Sequence, residues 1–137
     1  MTAPEKSTFQ FVGFLVTESH MSLQRADEYD FQVAFAPSGT VDIAKGEFEL
    51  RLHVEAVDAN QRAEIKVTTL ATFSYINISE PQNSKFLTEN APAIVFPYVR
   101  AYISTLTTQA GIEAIILPTM NLSGMSDLLR QNITVAT

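Results

Sequence analysis

Two histidines and a scatter of carboxylates supply most of the acid–base chemistry in this chain of 137 residues, which contains no cysteine. Without a thiol there is no disulfide, no thiolate metal ligand and no cysteine nucleophile. His20 and His53 lie far apart, so a histidine-based metal site would need carboxylates to complete it. His53 alternates with Arg51 and Glu55, which places it on the wet face of a strand. His20 stands beside Glu18 near a strand end, the position of a candidate pH-responsive group. The acidic sets Asp27, Glu28, Asp30 and Glu47, Glu49, Glu55 fall on turns and exposed strand faces. Charge there gives solubility and guards sheet edges. The chain has no G-x-S-x-G, H-E-x-x-H, P-loop or G-x-G-x-x-G spacing. The expectation is a protein that is not an enzyme, with no catalytic residue, no cofactor and no metal.

The bulk properties narrow the partners. A net charge of −6 argues against nucleic-acid backbones and anionic membranes, both of which reward clustered Lys and Arg. Charged residues make up 18%, below the usual quarter of a soluble domain. Between Glu89 and Asp127 only Arg100 and Glu113 are charged. FQFVGFLV near the start and the uncharged stretch 67–79 are both too short to span a bilayer, so a cytoplasmic protein is expected. The length fits one domain, residues 1–137.

The elements follow from periodicity. EFELRLHVEAV (47–57), DEYDFQVAF (27–35) and RAEIKVTTLATFSYINI (62–78) alternate as strands, with a hairpin turn at 58–60. In TFQFVGFLV (8–16) the apolar parity changes at Gly13, which marks a bulge. Pro37-Ser38-Gly39 should end the second strand. The second half reads as helices. Val95, Tyr98, Val99, Tyr102, Ile103 and Leu106 share one face of a long helix, which should begin near Pro97. An extended stretch, 112–122, leads to a last helix over 124–133, capped by Asn121 or Ser123. The fold class is α+β: a four-stranded antiparallel sheet, a long helix on one face and a shorter C-terminal helix. The polar side of the long helix holds Ser104, Thr105, Thr107 and Thr108 where an exposed helix would carry Glu and Lys. That predicts a face covered by another subunit, or by a loop of the same chain.

Residues 92–122 resemble the signature region of the SecB family of protein-export chaperones. The matching residues are Phe96, Pro97, Tyr98 and Arg100, then Leu117, Pro118, Asn121 and Leu122. Thr119, Leu122 and Ile112-Glu113 depart from the family pattern. The resemblance implies a homotetramer, a dimer of dimers with the long helices between two sheets, and it places Tyr98, Tyr102 and Leu106 at subunit interfaces. It also implies nucleotide-independent binding of unfolded polypeptides in apolar grooves. Val33 and Phe35 would form one wall, and Leu122, Met125, Leu128 and Leu129 the other. Such side chains repack around irregular clients. In secretory members of the family clients pass to the SecA motor. Here His20, Gln24 and Lys66 occupy positions where the family carries acids, leaving Glu18 and Glu64 as substitutes for docking. The alternatives are a SecB-like chaperone of a toxin–antitoxin system, a hotdog-like thioesterase, or a carrier of a small apolar ligand. The thioesterase needs a carboxylate on the long helix, and residues 93–109 contain none.

Overall fold

Strict alternation builds the middle of the sheet. The computed structural model describes residues 6–117 and 122–136, with Leu122 and Ser123 given by their backbone alone. In it, Glu47–Asp58 forms β3 and Ala63–Ile76 forms β4. Phe48, Leu50, Leu52 and Val54 of β3 are buried on one face, beside Ile65, Val67, Ala71 and Phe73 of β4. The opposite face carries Glu49, Arg51, His53 and Glu55. The hairpin between the two strands is clamped by Asp58. Its buried carboxylate accepts hydrogen bonds from Arg62 Nε at 2.8 Å, the Arg62 amide at 3.2 Å and the Asp30 amide at 2.8 Å. Arg62 also reaches the Glu28 carbonyl at 2.7 Å, so the clamp ties in the segment that leads into the next strand.

Thr8–Leu23 forms β1 and Phe31–Asp42 forms β2. A short strand β5, Ile133–Ala136, completes the sheet in the order β1-β4-β3-β2-β5. The ladder from β1 to β4 breaks register between Phe11 and Gly13 and again between Val16 and Glu18, leaving Val12 and Thr17 as extra residues. The first bulge is the one that the parity change at Gly13 predicts. It returns Phe14 and Val16 to the side where Phe9 and Phe11 already pack against the core.

Several expectations need correction, the first of them at the C-terminal end of the chain. The sheet has five strands and is mixed, because β5 pairs in parallel with β2 through Gly39–Asp42. The last helix, α2, spans Leu122–Arg130 and does not reach Ile133. Asn132 stops it by donating from Nδ2 to the Leu128 carbonyl at 2.7 Å, and the β-branched residues that follow suit a strand. Its capping by Asn121 or Ser123 concerns groups outside the described residues. Second, β2 runs straight through Pro37-Ser38-Gly39. The Gly39 amide points outward, to the Asn132 carbonyl at 3.0 Å, so by alternation the Pro37 nitrogen also faces the outer edge and no bond to β3 is lost. A Cβ on Gly39 would lie 2.6 Å from the Phe48 ring, so the glycine makes room for a core aromatic.

Third, the long helix α1 spans Ala91–Gln109 and carries Pro97 in its interior. Pro92 takes the first-turn place expected of Pro97. A 3₁₀ turn, Pro81–Asn83, and a π turn, Phe86–Asn90, precede it. Pro97 leaves the Ala93 carbonyl without its helical partner, but both residues are exposed, so water can serve that carbonyl. The opposite side holds the helix down: Ala91, Val95, Val99, Ile103 and Thr107 recur every fourth residue and are buried against the core.

Candidate functional site

A wide concavity lies at one end of the sheet, between the β1–β2 connection and the chain that follows α1. It is an open cleft of about 1080 Å³. Leu23, Phe31 and Val33 supply apolar surface on one side, and Ile112, Ile115 and Ile116 supply it on the other. Arg25, Asp27, Glu28 and Glu113 add charge to the lining. Ile116 is 65% exposed, unusual for a side chain of its size.

Each wall has a physical anchor. The Asp58–Arg62 clamp fixes the β1–β2 side, and the Arg62 guanidinium lies 5.7 Å from the centre of the Tyr29 ring, which stacks on Phe31 at 5.5 Å. Tyr29 also donates from its hydroxyl to the Gln24 carbonyl. Arg62 holds the Asp58 carboxyl well below the usual carboxylate range, mainly through their side-chain hydrogen bond. The other wall hangs on α1. Thr107 Oγ1 accepts from the Ile115 amide at 2.9 Å and donates to the Ile103 carbonyl at 2.8 Å, while Ser104 Oγ donates to the Ile115 carbonyl at 2.9 Å. Two of the hydroxyls on the polar side of α1 are thus spent on the chain's own loop. Thr105 and Thr108 remain exposed.

The predicted client-binding residues separate into two groups. Val33 lines the cleft, and Phe35 packs its ring edge against Phe96 at 6.2 Å while staying half-buried. Leu128 is 46% exposed. Met125 and Leu129 are buried in the core. Leu122 opens α2, but its side chain is outside the described residues. Sequence reasoning missed Leu23, Phe31 and the isoleucine wall. The available signal was an isoleucine-rich run, 112–117, charged only at Glu113 and barred from a helical reading by Pro118.

The predicted interface residues lie along the outer side of α1. Tyr98 is 48% exposed and its ring lies 5.3 Å from Phe11 and 5.4 Å from Phe14. Tyr102 is half-buried and donates to Ser19 Oγ at 2.9 Å, and Leu106 packs partly on the core. Arg100 is exposed and makes no hydrogen bond or ion pair among the described residues. Ile94 is also exposed on this helix.

On the outer face of the sheet Glu18 is exposed, and Glu64 pairs with Lys66 at 2.9 Å. His20 lies opposite Lys66 in the ladder. His53 is more engaged than a solvated surface histidine: Nδ1 is 2.7 Å from Thr68 Oγ1 and Nε2 is 2.9 Å from Glu55 Oε1. That contact draws the Glu55 carboxyl below its usual range. Among the described residues no three His, Asp or Glu side chains are grouped to hold a metal ion, and no helix is long and apolar enough to cross a membrane.

Known proteins place this architecture. The uncharacterized protein MJ0357 of Methanocaldococcus jannaschii is 28% identical over 91% of this chain and 86% of its own length. The protein-export protein SecB of Rickettsia bellii is 29% identical over 73 residues, about half of either chain. A solved structure of the Mycobacterium tuberculosis Rv1957 SecB-like chaperone, in complex with a ChAD peptide from the Rv1956 HigA1 antitoxin, superposes with a TM-score of 0.70. It shares 17% identity, covering 82% of this chain and 88% of that one, and so speaks to the fold. A family model described as preprotein translocase subunit SecB matches residues 12–132. With that span the chain belongs to the SecB family.

Proposed function

We propose that this protein is a nucleotide-independent chaperone that holds non-native polypeptides in the cleft between β2 and residues 112–117. The observation that carries the reading is the cleft itself. At about 1080 Å³ it is open, sets large apolar residues on both sides beside Arg25, Asp27, Glu28 and Glu113, and has room for a stretch of extended chain. An open trough also argues against a carrier, which would enclose its ligand. No carboxylate on α1 faces it, which disfavours the thioesterase alternative. We read the chain as a non-enzymatic cytoplasmic protein assembled as a homotetramer. The exposed Ile94 and Tyr98 on α1 support assembly.

Delivery to SecA is the weaker part. Glu64 is paired with Lys66, and His20, Gln24 and Lys66 stand where the family carries acids, so the family's acidic docking positions are not reproduced. This favours a SecB-like chaperone serving a non-secretory system, comparable to the antitoxin-peptide complex of the tuberculosis protein. The test is binding of a permanently unfolded polypeptide, reduced carboxymethylated α-lactalbumin, followed by fluorescence anisotropy. Val33→Asp should weaken it about tenfold or more without changing the circular-dichroism spectrum. No binding by the unaltered protein defeats the proposal. Tight SecA binding in physiological salt defeats the non-secretory reading.

A further inference from the structure

The outer edge of β2 is occupied along only part of its length. β5 covers Gly39–Asp42, and the Gly39 and Ile43 amides donate outward to the carbonyls of Asn132 and Ala136 at 3.0 and 3.3 Å. Backbone groups alternate sides along a strand, so the amides and carbonyls of Phe31, Val33 and Phe35 face the same way. Among the described residues no strand pairs with them there. Phe31 and Val33 also line the cleft with their side chains. One strip of about five residues, roughly 17 Å long, therefore offers backbone donors and acceptors that no strand takes up among the described residues, beside the apolar side chains of Phe31 and Val33. Pro37, which has no amide, divides this strip from the part that β5 covers.

We propose that β2 holds an extended polypeptide by backbone pairing along Phe31–Phe35, and that β5 is the chain's own strand on the same edge, displaced when a longer polypeptide is bound. The inference rests on the chaperone reading and specifies how the client is gripped. Three features support it. β5 shows that this edge accepts an added strand, here in parallel. β5 is short and mostly exposed, with only Ile133 half-buried, so it belongs to the least stable part of the sheet. The free stretch of edge runs directly into the β5 site, so a strand extending beyond Phe35 meets β5 at Gly39. Backbone pairing also suits a partner of variable sequence, because it reads no side chain.

Hydrogen exchange and variants of β5 test the proposal, again with reduced carboxymethylated α-lactalbumin. When the client binds, the amides of Phe31, Val33 and Phe35 should slow about tenfold or more, while those of Gln32 and Ala34, paired to β3, change little. Thr134 lies between Asn132 and Ala136, whose carbonyls face β2, so Thr134→Pro removes a β5 amide on that side and should tighten client binding about threefold. Thr40 and Thr134 are in register, so a T40C/T134C pair, in a chain without other cysteines, can pin β5 when oxidised and free it when reduced. The pinned form should bind more weakly than the freed form. Client binding without slowing of the three outward amides overturns the pairing. Equal affinities for the unaltered, Thr134→Pro and pinned proteins overturn the role of β5. If the unaltered protein binds no client, the chaperone reading itself falls and this inference with it.

Discussion

Asp58 and Thr107 are the two side chains on which the cleft's walls depend. Asp58 is buried with four donors on its carboxylate, and its folded pKa lies below that of the unfolded chain. The unfolded state therefore takes up the proton first. The contact contributes fully above about pH 5 and is lost as pH falls below about 4. Asp58→Asn should be less stable than the unaltered protein at pH 7, and its urea midpoint should fall less between pH 5 and pH 3. Thr107→Val keeps the shape but leaves the buried Ile115 amide without an acceptor. A loss of about 1–3 kcal/mol is expected in urea unfolding. Neither role was visible in the sequence. Asp58 read as a turn residue, and Thr107 as part of a face awaiting another subunit. A long-range hydrogen bond leaves no periodic trace.

At the scale of elements, α2 shows how much a pattern of apolar residues can reveal. Met125, Leu128 and Leu129 read as one face, but three- and four-residue spacing on a short helix does not fix its rotation. The structure turns Leu129 into the core and leaves Leu128 outside. Leu129→Ala should cost about 2–5 kcal/mol in urea unfolding. Leu128→Ala should stay within about 0.5 kcal/mol of the parent. The strands were legible because alternation over ten or more residues is a strong signal, and the bulge at Gly13 was readable from parity alone. β5 was not legible, since four residues give too little period and pairing with a distant strand decides their conformation. The same held for α1. Proline 97 argued for a later start, yet packing by Val95 on one side and Val99 on the other outweighs one missing hydrogen bond.

For the whole molecule, assembly is the property to measure. A homotetramer should scatter light as a particle near four times 15.1 kDa. Tyr98→Asp should lower that mass while leaving the fold intact, because Tyr98 is 48% exposed in one chain. Tyr102 and Leu106 are poorer probes, since both are half-buried in their own chain, whereas Tyr98 stays exposed although its ring lies against Phe11 and Phe14. A dispersed monomer with unaltered Tyr98 would remove the assembly reading. The bulges at Val12 and Thr17 matter at this scale too. β1 is a sixteen-residue border strand, the kind of long straight rim on which sticky chains nucleate fibrils. Two kinks five residues apart crimp that rim and spoil it as a template. On the proposed chaperone reading, the same kinks would keep the protein from being recruited into aggregates of the chains it holds.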